Sequence, residues 1–345
     1  MVSETWDPNA TSFPLLKDLP DIPDAPKSAS WFWGPDDNLG RINLLTPSRV
    51  KAAAAEIKTG EIVRTDLPLN VPAQPAFGRQ AFKHQIKALS PGYAYDDTYE
   101  LNTQSGTQFD GFRHVADPET AYFYNWTTAK DIAGEDGEKN EKCGMNHWAA
   151  HGFAGRGVLL DYRAYATSQG TSYDSATSHA ITYADLLATG KHQGLDIRPV
   201  SQGGDMQIGD ILFVRSGFVQ DYNSRSTSEN EALGLRAYAP SGDADKIQCW
   251  AGLSSEEEVR TWLHDCYFTA GLGDSPTWEV FPPPAKGALH GFMLACWGMP
   301  IGEMLDLEKV AEVCKREKRW TFFFTAGTPN CPGGVGGHVN GTVVF

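Results

Sequence analysis

Four short apolar runs constrain this chain more than any other feature: EIVRTDLPLN at 61 to 70, GVLLDYRAY at 157 to 165, DILFVRSGF at 210 to 218 and RWTFFFTA at 319 to 326. Each has strand length and is rich in β-branched and aromatic residues, which suit a pleated, half-buried surface. Between them lie segments with apolar residues at helical spacing, YADLLATGKHQG (183 to 194), SSEEEVRTWLHDC (254 to 266) and DLEKVAEVCKREK (306 to 318), the first two behind Thr or Ser in N-cap position. A further helix is expected from Thr46-Pro47 through SRVKAAAAEIKTG to Gly60. The class is mixed α/β with a sheet-dominated core. No period of 20 to 50 residues repeats, which excludes a solenoid or propeller.

The 345 residues fit one main domain with extensions. Residues 1 to 30 carry Trp6, Pro8, Pro14, Pro20, Pro23 and Pro26 without periodicity, so they read as an arm laid over the domain or a neighbouring subunit. Residues 31 to 345 then read as a single domain. The polar stretch Gln220 to Gln248 reads as a surface excursion. The Gly-rich GTPNCPGGVGGHVNG lacks the Lys-Ser/Thr ending of a phosphate loop and reads as a turn before a last strand, GTVVF.

A formal net charge of −14 and no dense basic run argue against a nucleic-acid partner. No stretch approaches the roughly 20 apolar residues that cross a bilayer. Without a basic start followed by an apolar run, a soluble, cytoplasmic protein is expected. Cys143, Cys249, Cys266, Cys296, Cys314 and Cys331 form no CxxC pair and read as thiols of a reducing compartment.

Functional side chains are densest in NTQSGTQFDGFRH, residues 102 to 114. Gln104, Gln108, Asp110 and His114 stand four, two and four positions apart, with Gly106 and Gly111 letting the backbone turn between them. Such spacing can aim all four into one cavity, and Asp and His beside two amides are costly to bury without a purpose. Other candidates are weaker. His147 and His151 share a helix face in NHWAAHG but lack the Glu of HExxH, so structural roles are expected. Ser216 and Cys296 have no neighbouring base in sequence. Trp31, Phe32, Trp33, Phe109 and Phe112 could line an apolar pocket for a ring-shaped substrate, with Trp33 and Phe109 the leading substrate-binding candidates.

GTQFDGFRH resembles the signature H-x-G-T-H-x-D-x-P-x-H of the cyclase superfamily, which includes bacterial-type kynurenine formamidases and isatin hydrolases. DDNLGRINLLTP, HGFAGRGVLLDY, GDILFVRSGF, AGLSSEE, GDSPTWEV and LHGFMLACWGMPIGEML extend the resemblance, in order, over roughly residues 31 to 310. It implies a swivelling β/β/α domain, a central sheet or partial barrel covered by helices, and a homodimer or homotetramer. It also implies a metal held by two signature histidines and the aspartate, with a later His and Glu completing a second position or the acid/base machinery. Here the two histidines fall on Gln104 and Gln108, the aspartate is Asp110, the closing histidine is His114, and the later pair is His290 and Glu303.

A carboxamide oxygen is a weak, hard donor where imidazole is a good zinc ligand, so tight zinc binding is not expected. Asp110, His114, His290 and Glu303 remain a general acid/base set, with Gln104 and Gln108 able to hydrogen-bond a carbonyl or enolate oxygen. The expected function is cyclase- or hydrolase-like: ring closure, or hydrolytic opening, of a small lactone, cyclic amide or polyketide-like carbonyl substrate, with no cofactor. One alternative is an amidohydrolase of the kynurenine formamidase type, using a weakly held divalent metal (Mn²⁺, Mg²⁺ or Zn²⁺) on Asp110, His114, His290 and Glu303. Another is a small-molecule-binding protein without catalysis.

Overall fold

The computed structural model describes residues 5–238, 247–284 and 287–345. Its strands are β1 (Ile62–Arg64), β2 (Lys83–Ser90), β3 (Ala94–Glu100), β4 (Gln108–Asp110), β5 (Phe153–Leu160), β6 (Ala180–Ile181), β7 (Ile211–Val214), β8 (Gly252–Leu253), β9 (Ala270–Gly273), β10 (Ile301–Glu303), β11 (Thr321–Gly327), β12 (Gly336–His338) and β13 (Asn340–Val344). Nine of them form one sheet in the order β1-β13-β11-β5-β7-β9-β10-β4-β12. The sheet curls into a half-barrel flanked by helices, a mixed α/β architecture. Its middle, β5-β7-β9-β10, is parallel, and the pairs on either side are antiparallel. Every residue of β7 and β9 is buried, as parallel strands covered on both faces should be.

All four expected strand runs contain strands, but three stop short of their apolar patterns, the run at 210 to 218 ending as β7 at Val214. The first ends at Arg64, because Thr65 and Leu67 turn their amides to the Gly341 carbonyl and the Thr107 hydroxyl and Pro68 follows. The second stops at Leu160, where Asp161 caps a helix over Tyr162–Ser168 through the Ala164 amide. Helices fall at Pro47–Ala53, Tyr183–Gln193, Glu257–Asp265 and Glu308–Glu317, as periodicity predicts, except that the first gives way to a 3-10 turn at Ala54–Glu56 and ends short of the expected Gly60. Thr182 and Asp185 form a capping box. The Ser expected to cap Glu257–Asp265 does not: that helix starts behind Glu256, and Ser255 Oγ donates to Glu279 instead. The excursion after Gln220 contains helix Thr227–Gly234, and its residues 239–246 lie outside those described.

The proline-rich arm lies on its own chain. The Trp6 amide donates to the Phe32 carbonyl, Tyr267 Oη to the Pro14 carbonyl, and Arg49 to the Pro8 and Ala10 carbonyls. Trp6 and Phe13 pack around Trp33 and Tyr267. Strands β2 and β3 form a hairpin apart from the main sheet, with Ile86, Leu89, Tyr93, Tyr95 and Tyr99 exposed. Among the described residues no helix is long and apolar enough to cross a membrane.

Candidate active site

The site is built where β4 lies between β10 and β12. The antiparallel register sets Gln108 opposite Glu303 and Asp110 opposite Ile301. Because side chains alternate along a strand, Gln108 and Asp110 share one face, and Phe109 points the other way. Phe109 therefore packs into the core, its ring 5.9 Å from Trp148 and 5.2 Å from Phe153. This corrects its expected substrate-binding role. Trp33 packs with the arm residues Trp6 and Phe13, while Trp31, Phe32 and Phe112 are buried core.

Gln104 arrives from the turn before β4, and its Nε2 donates to Asp110 Oδ1. Gln108 Nε2 donates to Glu303 Oε2 at 2.7 Å and to Asp110 Oδ1 at 3.3 Å. Both amide hydrogens of Gln108 are thus engaged, so it bridges the carboxylates rather than holding a substrate oxygen as expected. His114, one turn after β4, places Nε2 3.9 Å from Asp110 Oδ2.

His290 comes from the other end of the chain, at the start of the π-helical turn Gly291–Cys296, a geometry often found at functional sites. Its Nε2 lies 3.5 Å from Asp110 Oδ2 and 3.3 Å from Glu303 Oε1. Nδ1 lies 2.6 Å from Glu279 Oε1. Glu279 also accepts from the Leu289 and His290 amides and from Ser255 Oγ, so a buried carboxylate fixes both the backbone and the ring of His290.

The six polar residues of the expected site, Gln104, Gln108, Asp110, His114, His290 and Glu303, are therefore brought together. Two more were not foreseen. Glu279 lies within the GDSPTWEV segment, but nothing in its spacing points to His290. Arg79 gives no sequence signal at all, yet its Nη1 donates to the Gln104 carbonyl at 2.8 Å and approaches Gln108 Oε1 at 3.5 Å.

Charges in the cluster are set by burial and by each other. Burial opposes ionisation of Asp110, but His114, His290 and Arg79 together hold its carboxyl below the usual carboxylate range. Burial and the neighbouring Asp110 charge raise Glu303 to about 7, against the pull of His290. His290 is also penalised by burial, yet Asp110, Glu279 and Glu303 hold it protonated well above the ordinary histidine range. Burial lowers His114, which favours a neutral ring. The side chains of His114 and His290 are 25% and 17% exposed, against 1% and 2% for Asp110 and Glu303, so an entering molecule meets the imidazoles first.

The weaker candidates find other partners. His147 and His151 meet the Glu141 and Gly152 carbonyls. Ser216 Oγ donates to Asp274, whose second oxygen accepts the Gly217 and Phe218 amides, an arrangement without a base for nucleophilic attack. Burial pushes the Cys296 thiol far up, which keeps it protonated.

The metal that the resemblance implies can be tested against this donor set. Where an imidazole-rich zinc site needs lone pairs, Gln104 and Gln108 present amide hydrogens to the carboxylates. Asp110 Oδ2 and Glu303 Oε1 are buried without a hydrogen-bond partner, and with His290 they offer ligand atoms within 4.8 Å of one another. Two carboxylates and one imidazole fit a hard divalent cation such as Mg²⁺ or Mn²⁺, but not a tight zinc centre.

A half-barrel sheet carrying a buried cluster of carboxylates and histidines around β4 and β10 defines an α/β protein with a candidate acid/base or metal centre. The Cyclase family model matches residues 64–280, and the chain belongs to that family. A crystal structure of a novel cyclase superposes with a TM-score of 0.76 at 25% identity, covering 92% of this chain and 99% of that one. Isatin hydrolase A from Ralstonia solanacearum matches with a TM-score of 0.53 at 16% identity, over 87% of this chain and 98% of its own. Isatin hydrolase A from Labrenzia aggregata, bound to benzyl benzoate, matches with a TM-score of 0.53 at 13% identity, over 84% and 94%. No curated protein matches the chain.

Proposed function

We propose that this protein is an enzyme of general acid/base type that opens by hydrolysis, or closes in the reverse direction, a small carbonyl ring such as a lactone or cyclic amide. The observation that carries the reading is the placement of His290 Nε2 within 3.5 Å of both Asp110 and Glu303, with His114 beside Asp110. In the hydrolytic direction neutral His114 takes a proton from water as its oxygen bonds to the carbonyl carbon. The charge gathering on the carbonyl oxygen is met by His290 Nε2–H. Glu303, whose carboxyl is raised towards neutrality by burial and by Asp110, carries the proton that passes to the leaving oxygen or nitrogen as the ring bond breaks. Asp110 orients His114 and balances its charge, and ring closure retraces these steps with loss of water.

Turnover on a panel of lactones, cyclic amides including isatin, and N-formyl anilines tests this reading. Glu303→Gln should lower kcat by about 100-fold or more. Unchanged kcat in that variant removes Glu303 from the proton transfers.

A second reading is a divalent-metal-dependent amidohydrolase, favoured by the two buried carboxylate oxygens without hydrogen bonds. Asp110, His290 and Glu303 would hold the ion, which supplies Lewis-acid activation of water. Metal content of the purified protein, with kcat before and after chelation, separates the two. Activity that falls on chelation and returns with Mn²⁺ or Mg²⁺ selects the second.

A further inference from the structure

Among the described residues, Arg79 is the one cation beside the cluster that the proton transfers above do not use. It sits at the foot of the β2–β3 hairpin, where Asn102 and Gln80 join the two legs through a backbone hydrogen bond. One corner of its guanidinium is anchored: Nη1 donates to the Gln104 carbonyl at 2.8 Å and faces Gln108 Oε1 at 3.5 Å. Its plane stands over the Phe77 ring, 5.2 Å from the centroid. Phe77 is in turn held by the Phe281 ring at 5.3 Å and by a hydrogen bond from its amide to Gln248 Oε1.

The other edge of the guanidinium, Nε and Nη2, has no acceptor among the described residues, where both hydrogen bonds of Arg79 leave from Nη1 and no carboxylate lies within ion-pair distance of it. Arg79 is partly exposed, and neither nitrogen is among the fully buried unpartnered atoms, so this edge is not sealed from solvent. Nε–H and Nη2–H are parallel donors in a fork that matches a carboxylate. An arginine serving only to neutralise Asp110 or Glu303 would turn that fork towards them. Here the amide of Gln108 stands between, accepting from Arg79 on its oxygen and donating to Glu303 and Asp110 from its nitrogen.

We propose that Arg79 anchors the substrate by binding an anionic group on it, a carboxylate set beside the reacting carbonyl. Fixing that carboxylate orients the carbonyl towards His114 and His290, which are the exposed members of the cluster. The substrate class narrows from small carbonyl compounds to carbonyl compounds that are also acids. An acidic chain of net charge −14 repels such a molecule at long range, so its capture needs a dedicated local cation. The inference rests on the reading of this cluster as the substrate site, but not on which residue transfers the proton.

Binding is measured by calorimetry, independently of turnover, with benzoate and pyruvate as acid probes and benzamide and methyl pyruvate as their neutral counterparts. The full-length protein should bind each acid at least about tenfold more tightly than its counterpart. Arg79→Gln should abolish that difference while leaving the neutral compounds unaffected, and Arg79→Lys, which keeps the charge without the fork, should retain part of it. The proposal is overturned if neither acid binds, if acids and neutral compounds bind alike, or if the preference survives in Arg79→Gln. The comparison within the unsubstituted protein stands even where Arg79→Gln does not fold. A Glu303→Gln variant with undiminished turnover would remove the acid/base reading and leave the anion preference intact, so the two fail separately.

Discussion

Gln108 and Glu303 face each other across the β4–β10 pairing, and Gln108 Nε2 donates to Glu303 Oε2 at 2.7 Å. An imidazole at position 108 could offer a lone pair to a metal, whereas the amide offers hydrogens to the carboxylates. The first prediction is that the Gln104→His, Gln108→His double variant takes up Zn²⁺ that the unsubstituted protein holds far more weakly. Two imidazoles beside Asp110 restore three strong zinc ligands. Titration against a chromophoric chelator measures both affinities. Equal zinc affinity in the two proteins refutes the view that the amides displaced a zinc centre.

Glu279 supports a second prediction. Its Oε1 meets His290 Nδ1 at 2.6 Å and the His290 amide at 3.0 Å, so the ring and its backbone depend on one carboxylate. Glu279→Gln places an amide where a charge stabilised the imidazolium. We expect kcat to fall by about tenfold or more, the usual scale for a partner that orients a functional histidine. The His290 ring nitrogens should shift in ¹⁵N spectra towards a neutral tautomer. A purely structural Glu279 would lower stability and leave those resonances in place.

Strand runs at β5, β7 and β11 were legible because buried strands need continuous apolar and β-branched residues, and the Tyr183–Gln193 helix because Thr182 caps it. The polar cluster at 104 to 114 was legible as a density of functional groups, and the resemblance supplied His290 and Glu303. Phe109 was misread because a three-residue strand is too short to show its alternation, which alone turns that ring away from its neighbours. The β2–β3 hairpin escaped because it contributes nothing to the core whose periodicity marks a strand. Arg79 and Glu279 act through contacts 25 and 11 residues away, a distance that residue spacing does not encode.

The turn joining Asp110 to Phe112 gives a third prediction. A Cβ at Gly111 would lie 2.4 Å from the Val335 carbonyl oxygen and 2.7 Å from Met145 Sδ, while the Gly111 amide donates to that same carbonyl at 3.1 Å. Gly111→Ala must push β4 from the chain that precedes β12, moving Asp110 with it. A loss of about 1–3 kcal/mol in urea unfolding is expected, with lower kcat. Gly327→Ala is the control, since a Cβ there meets nothing within 4 Å. If both variants unfold alike, the close approach at Gly111 carries no weight.

His264 supplies a prediction about acid stability, away from the cluster around Asp110. Its ring is fully buried between Tyr267 and Trp297, with Nδ1 2.9 Å from Asp265. Burial, helped by the nearby Arg41 charge, lowers its pKa to about 4 despite the opposing pull of Asp265. In the unfolded chain a histidine titrates near the ordinary value of about 6.5. Between these two values the unfolded state binds a proton that the folded state refuses, so acid favours unfolding. Stability from this group is complete above about pH 6.5, falls as pH drops towards 4 and changes little below that, with a total on the order of 3 kcal/mol. Urea unfolding at intervals from pH 7.5 to 4 should show this slope, and His264→Gln should flatten it whatever it does to absolute stability. A slope unchanged in the variant would assign the acid sensitivity to other groups.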